Sequence, residues 1–445
     1  MSVITLGIIG IIIAFIVLII ASIYDLSPLY CGILVSVIVI LTCGMPFTKA
    51  INEIYLPGVA GFAGPFFGVM LFGAIMGKIY DRSGAANSIA HLLVRVFMKD
   101  LEHMSEFRKV ASTVLILAFA GAILAFGGVN NIVLMITMYP LAVAVCKETD
   151  IPQRYAIGIA VTGSSTFAFT GPFSPQMPNV VAMQTLGTSS YAALVPGIVG
   201  AIAELIVMVF VFYILIKRAK ANGEKFEYGP NDTIHDLNKK LPSPVIAAIP
   251  LIFIFCAFNF FKMDITLAMG IGAALSVLLF TPNLKSYGVL KAVNEGAVAS
   301  CSSLLFISAI IGFGAVVTKT PSYKAIMDGL LSMSIHPYFQ LILCVFAFAS
   351  ISGSTTAGVR LALPALGPIF TGMGYPAGAL HRIATFAGSV TDSLPHNGAV
   401  IMAVHLSGRT MKQAYPGIFV STVLATGAGT FAVAIVSMLF PALTN

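Results

Sequence analysis

Charge is what this chain has least of. Asp, Glu, Lys and Arg make up 9% of its 445 residues, against about 25% in a soluble domain. That excludes the two or three soluble domains that such a length would otherwise suggest. Paired cysteines are missing as well. Cys31, Cys43, Cys146, Cys256, Cys301 and Cys344 show no ligand-like spacing and lie mostly in apolar runs. They read as small core residues, which excludes a disulfide framework and a cysteine metal site. No Gly-x-x-x-x-Gly-Lys-Ser/Thr run occurs, so no ATPase within the chain supplies energy. His-Glu-x-x-His and Gly-x-Ser-x-Gly are also absent, which argues against a membrane-embedded enzyme.

What is present is apolar. Hydrophobic residues make up 58% of the chain, and mean hydropathy is +0.97. The solvent is therefore a lipid bilayer, and the unit of organisation is the membrane span. The formal net charge of +7 is not a nucleic-acid signal, because in such chains the excess collects in cytoplasmic loops. No basic residue precedes the first apolar run, 3–23, so that run reads as a spanning helix and not as a cleaved leader.

Apolar stretches of spanning length fall near 3–23, 28–44, 58–78, 155–178, 194–216, 245–261, 265–281, 297–317, 375–395 and 415–440. Residues 110–146 and 338–372 differ. Each has two apolar arms meeting at a polar centre: Gly127-Gly128-Val129-Asn130-Asn131 and Ser352-Gly353-Ser354-Thr355-Thr356. Each is either a re-entrant hairpin or a pair of full spans. Irregular backbone at membrane depth is tolerated only beside protein or a water-filled cavity, and such a tip suits that condition. With the polar linker 217–240 in the cytoplasm, eighteen of the basic residues fall inside and four outside. The positive-inside rule then puts both termini outside.

Across the linker the sequence repeats in order. Asn52-Glu53 matches Asn294-Glu295, and the six residues from Gly73 to Lys78 match those from Gly314 to Lys319. Asn130-Asn131 falls on Ser354-Thr355, and Pro140 on Pro364. Ile151-Pro152 falls on Tyr375-Pro376, Gly163-Ser164-Ser165-Thr166 on Gly388-Ser389-Val390-Thr391, and Pro196-Gly197 on Pro416-Gly417. Each half then holds five spans and one hairpin. An odd span number inverts the second half, the construction of secondary transporters. The expected fold is an all-α polytopic membrane protein of two inverted repeats. The first repeat is 1–220, with scaffold helices and an arm in 1–109 and the hairpin, interrupted helix and last span in 110–216. A cytoplasmic linker follows at 221–241. The second repeat is 242–445, divided likewise into 242–337 and 338–440.

Matched, Gly/Pro-interrupted segments are the best pointer to a transporter's site. Besides the hairpin tips, hydroxyl residues and then proline recur at 162–172 and 387–398. Proline removes a backbone donor, so helices should break there and free their amides for an anion. Gly64-x-x-x-Gly68 and Gly73-x-x-x-Gly77 read instead as packing surfaces. Glu204, Arg360, Arg382 and Asp392 are ionisable at membrane depth, where a lone charge costs several kcal/mol. Asp392, inside the second interruption, is the ion-coupling candidate for H⁺ or Na⁺. Arg360, just past the second tip, offers a planar fork for a carboxylate. Arg382 either pairs with Asp392 or binds carbonyls, and Glu204 reads as packing against the other half. His396 is a candidate pH-sensing group; no set of metal ligands surrounds it. The stretch 90–97 reads as a surface amphipathic helix.

Two stretches carry a family likeness: Lys78-Ile79-Tyr80-Asp81-Arg82-Ser83-Gly84-Ala85-Ala86, and Gly388-Ser389-Val390-Thr391-Asp392-Ser393-Leu394-Pro395-His396-Asn397-Gly398-Ala399-Val400. Through them the chain resembles the gluconate permease family, within a superfamily of hairpin-containing ion transporters, nearly end to end. The resemblance implies a carrier of small organic acids, typically proton-coupled, in the inner membrane. It also implies a homodimer working by an elevator, with scaffold helices fixed and hairpins and broken helices sliding. No cofactor is implied beyond the coupling ion. The candidate substrate site is Asn130, Asn131, Ser164, Ser165, Thr166, Ser354, Thr355, Thr356, Arg360, Ser389, Thr391, His396 and Asn397, with Asp392 as the coupling residue. One departure matters. Sugar-acid members carry Asp-Ser-Gly-Phe-Trp where this chain has Asp392-Ser393-Leu394-Pro395, and it has no tryptophan. A smaller, less hydroxylated monocarboxylate is therefore at least as well matched as gluconate. The rival reading is a cation/proton antiporter of the same superfamily.

Overall fold

The computed structural model describes residues 2–24, 26–97, 103–129, 131–230, 232, 241–395 and 397–444. Among them there are helices and no strand. The first half runs α1 (Val3–Ile23), α2 (Pro28–Thr42), α3 (Phe47–Ser83), α4 (Ala85–Phe97), α5 (Glu106–Phe126), α6 (Asn131–Glu148), α7 (Ala156–Ala160), α8 (Met177–Leu186) and α9 (Leu194–Ala221). The second runs α10 (Pro244–Asn259), α11 (Ile265–Phe280), α12 (Val289–Thr318), α13 (Pro321–Leu331), α14 (Pro337–Ser352), α15 (Thr355–Gly372), α16 (Ala377–Thr391), α17 (Gly398–Ser407) and α18 (Met411–Leu439). Six helices among the described residues are long and apolar enough to cross a membrane, and four shorter apolar helices accompany them.

Local chemistry sets the helix ends. Pro28, Pro244 and Pro337 occupy first-turn positions, where the missing N–H is no loss. The Asp264 side chain caps α11 by accepting from Leu267 N at 3.1 Å. The amphipathic stretch lies within α4, and α13 stands at the corresponding place before the second hairpin. The apolar stretches 155–178 and 375–395 are not single helices. The first passes from α7 through a π-helical turn, Ser164–Phe169, to a non-helical segment and then α8. In the second, α16 stops at Thr391 and α17 starts at Gly398. Pro172 and Pro395 lie in these interruptions.

The helices α3 and α12 cross with backbones nearly touching. A Cβ added to Gly296 would lie 2.6 Å from Ile75 Cα, and one on Gly58 would lie 2.7 Å from Ala315 Cβ. Small residues at such crossings replace the hydrophobic drive that lipid removes. Gly68 and Gly73 are packing positions of the same kind, against Thr266 and Met269; a Cβ on Gly64 would meet nothing. Only the inner member of the Gly64/Gly68 pair is therefore a contact. Ile12, Ile16, Ile202, Ile206, Phe210 and Leu278 are exposed, an apolar outer surface suited to lipid. Lys78 pairs with Glu295 at 3.1 Å, Arg154 with Glu224 at 2.9 Å, and Lys220 with Asp150 at 3.7 Å. These three basic residues are among those the charge count assigns to the cytoplasm. The described part of the linker turns back here: Asp232 accepts from Tyr139 Oη at 2.6 Å and from Gln153 Nε2 at 3.2 Å.

Candidate functional site

Both interruptions and the first hairpin tip meet at a cavity of about 70 Å³. Asn131 contributes the start of α6, Ser164, Ser165 and Phe169 the π-helical turn, and Ser389, Asp392, Ser393 and Asn397 the second interruption. Met135, Val161, Ala399, Val400, Ala403, Ile418 and Thr422 complete the wall. One side is thus amide, hydroxyl and carboxyl, and the other aliphatic. A π-helical turn frees carbonyls from the regular ladder and often marks functional sites. Here Ser164 and Ser165 both donate to Val161 O at 2.8 Å. Asn131 has a buried side-chain oxygen with no partner among the described residues. A buried polar atom without a partner is costly, and this one belongs to a residue that faces the cavity.

Asp392 is held by hydroxyls. Thr355 Oγ1 donates to Oδ2 at 2.5 Å and Ser393 Oγ to Oδ1 at 2.6 Å. Each carboxylate oxygen retains accepting capacity for one further ligand. The second hairpin tip therefore reaches the site through Thr355, which does not itself line the cavity. Asn397 fastens the same corner. Its Nδ2 donates to Gly353 O at 2.5 Å and also to Asp392 O, while its Oδ1 accepts from Ala399 N at 2.6 Å and caps α17. Asp392 is the C-cap of α16, and it stands beside two helix N-termini, since Thr355 opens α15 and Asn397 caps α17. Such ends favour negative charge.

The other candidates are dispersed. Asn130 and His396 lie outside the described residues. Thr166 is buried and turned towards Met208 Sδ at 3.6 Å. Thr391 donates to Phe346 O at 2.9 Å, away from the cavity. The Ser354 side chain caps α15 by accepting from Ala357 N. Thr356 is buried in the first turn of α15, and Arg360 is partly exposed on the same helix; neither lines the cavity. Arg382 takes the carbonyl alternative and not Asp392. It donates to Thr170 O and Asn179 Oδ1 at 2.8 Å each, to Ser190 O at 3.2 Å and to Ala192 O at 3.0 Å. Glu204 packs against Gly429 of α18, where an added Cβ would lie 2.7 Å from Glu204 Cγ.

Gln176 belongs to this architecture and was not singled out by its sequence pattern. Just before α8, its Nε2 donates to Ala125 O at 2.9 Å and Val129 O at 3.0 Å, the last carbonyls of the first hairpin arm and tip. Asn397 does the same for the second tip. The two residues are 221 positions apart, within the offsets of the repeated series, and that spacing was the available signal. Replacing Gln176 by Ala strips the side-chain donor from Val129 O, a loss of about 1–3 kcal/mol if left unmet, while Ala125 O keeps Gly128 N at 3.0 Å. The variant is expected to unfold at a clearly lower temperature in detergent. An unchanged unfolding curve would remove Gln176 from the tip's support.

Apolar helices around a small polar cavity, lined from two interrupted helices and a hairpin tip, form the architecture of a membrane transporter. The model described as GntP family permease matches residues 2–439, and the chain belongs to that family. The transporter YxjC of Bacillus subtilis (strain 168) is 27% identical over 434 residues, covering 87% of this chain and 89% of that one. A transporter of Haemophilus influenzae (strain ATCC 51907 / DSM 11121 / KW20 / Rd) is 24% identical over 402 residues, covering 88% and 89%. A shorter match, 29% over 154 residues, covers 35% of this chain and 32% of the high-affinity gluconate transporter of Escherichia coli (strain K12). Among solved structures, the Alcanivorax borkumensis YdaH transporter, a crystal structure with an unusual topology, superposes with a TM-score of 0.54 at 15% identity. That superposition spans 90% of this chain and 89% of that one, and shows a likeness of fold.

Proposed function

We propose that this chain is a secondary active symporter, carrying a small organic acid with a proton by an elevator-type alternation of two inverted repeats. The observation that carries the reading is the cavity itself, where Asp392 faces Asn131 and Ser165 across a space of about 70 Å³. Where one water takes roughly 10–15 Å³, that space holds about five water-sized groups. A three- or four-carbon hydroxy acid suits it better than a six-carbon sugar acid. The substrate carboxylate would take hydroxyl and amide donors at the helix N-termini, and its carbon chain the side of Met135, Val400 and Ile418. No Arg or Lys lines the cavity among the described residues, so an acid beside Asp392 requires a proton or Na⁺ as its companion. The same acidic residue then links substrate entry to ion entry. In this reading the protein is a homodimer of the inner membrane, with α1–α3 and α10–α12 as scaffold and the hairpins and broken helices as the moving unit.

The test is uptake by proteoliposomes of lactate, 3-hydroxybutyrate and gluconate, under an inward proton gradient or an inward Na⁺ gradient. Accumulation of a three- or four-carbon hydroxy acid driven by the proton gradient is the expected result. Na⁺/H⁺ exchange that proceeds without any acid would put a cation/proton antiporter in its place.

A further inference from the structure

A second buried carboxyl stands beside the first interruption. Glu204, midway along α9, is fully buried. Its Oε2 lies 3.4 Å from Thr170 Oγ1, and its Oε1 has no partner among the described residues. Thr170 ends the π-helical turn whose Ser165 and Phe169 line the cavity. The Thr170 hydroxyl also bonds Thr166 O. A hydroxyl has one proton to give. Thr170 therefore divides its one proton between Thr166 O and Glu204 Oε2, and Glu204 Oε1 is left without a donor among the described residues.

No basic side chain forms an ion pair with this carboxyl among the described residues. Of the elements packed on α9, the π-helical turn and the part of α18 from Val420 onward have no titratable residue. In α5 the charged residues are Glu106, Arg108 and Lys109, all in its first turn. Along α9 itself, Tyr213, Lys217, Arg218 and Lys220 lie at least nine positions further on. The remaining groups are His381 and Arg382 of α16. His381 is engaged by Thr188 and Asn179, and Arg382 reaches the Thr170 carbonyl and not Glu204. An ionised carboxylate without an ion-pair partner is costly at this depth.

We propose that Glu204 is a second proton-binding site of the transport cycle, distinct from Asp392 and read out through Thr170 at the first interruption. The proposal rests on the symport reading above and adds a proton to it. Substrate entering between Ser165 and Phe169 shifts the turn that ends at Thr170, and so shifts the hydroxyl that donates to Glu204. Each interruption then has its own carboxyl with a threonine partner: Asp392 with Thr355, Glu204 with Thr170. Na⁺ is the weaker occupant. A hard cation stripped of water takes about six oxygens, and only Glu204 and Thr170 bring side-chain oxygens into contact here.

The experiment measures proton-driven accumulation of 3-hydroxybutyrate and of lactate in proteoliposomes, with the membrane potential clamped at zero. A pH gradient of one unit gives about tenfold accumulation per coupled proton. The expected steady state is therefore roughly 100-fold for the wild type and roughly tenfold for Glu204→Gln. If the wild type accumulates acid and Glu204→Gln keeps its ratio, the Glu204 proposal is overturned and the symport reading stands. A loss of Na⁺ dependence in place of a proton overturns it too. If the wild type accumulates neither acid, the symport reading fails first. Infrared difference spectra of the intact protein decide the case even where Glu204→Gln does not fold. A protonated carboxyl band should remain in Asp392→Asn and disappear on alkaline titration; its absence overturns the proposal.

Discussion

Asp392→Asn should lower proton-driven accumulation about tenfold while leaving the protein folded. With a pH gradient of one unit and no membrane potential, the wild type should reach at least about tenfold accumulation, since each coupled proton contributes about 1.36 kcal/mol per unit. In the variant the ratio should fall by about tenfold, leaving only what the Glu204 proton supports. Asparagine keeps the size of the side chain, and its carbonyl oxygen can still accept from Thr355 or Ser393, which hold the native carboxyl at 2.5 and 2.6 Å. It cannot take up and release a proton. Fold and function are thereby separated: the corner of Thr355, Asn397 and Gly353 keeps its bonds, and the Asp392 proton is lost. The measurement is steady-state uptake in proteoliposomes, alongside size-exclusion profiles and unfolding curves. An accumulation ratio in Asp392→Asn equal to that of the wild type would take Asp392 out of the coupling role.

Much of this site is legible in the sequence because proline, glycine and charge are conspicuous in an apolar chain. Pro172 and Pro395 mark segments where the helix stops, since neither can donate to the ladder. Asp392 stands out as a carboxyl without a nearby basic neighbour in sequence, and it lines the cavity. Rotation about the helix axis is what the sequence conceals. Thr391 and Thr166 sit among the hydroxyls of the interruptions, yet they face Phe346 and Met208. One residue of a helix turns the side chain by about 100°, so adjacent hydroxyls divide between cavity and core. Arg360 misleads for a related reason. Distance along the chain from the tip is short, but the residue lies more than a turn down α15, outside the cavity wall. Gln176 stays hidden because a lone glutamine in a loop has no pattern of its own; only its register with Asn397 marks it.

Arg382 leads to the second large effect, on folding. Arg382→Met is expected to prevent the protein from accumulating in folded form, and Arg382→Lys to fold with a marked loss of stability. The guanidinium is fully buried and serves four acceptors on three separate stretches: Thr170 O at the first interruption, Asn179 Oδ1 on α8, and Ser190 O and Ala192 O before α9. These lie in the first half of the chain, while Arg382 is on α16 in the second, so one side chain ties the interrupted helix to its counterpart. Methionine fills part of the space and provides no donor. Ser190 O keeps Phe173 N at 2.9 Å and Asn179 Oδ1 keeps His381 Nε2 at 3.2 Å, while stranding Thr170 O and Ala192 O costs about 1–3 kcal/mol each, a large share of the roughly 5–15 kcal/mol that stabilises a typical protein. Lysine restores charge and three donors at a single point, whereas the four acceptors surround a planar fork, so it can satisfy only some of them. Gly197 sharpens the constraint: a Cβ there would lie 3.2 Å from both Cδ and Nε of Arg382, so the side chain has little room to move aside. The readouts are the monodisperse fraction after solubilisation and the unfolding temperature of whatever folds. Arg382→Met that matched the wild type in both would show that backbone rearrangement or water satisfies those four acceptors without the guanidinium.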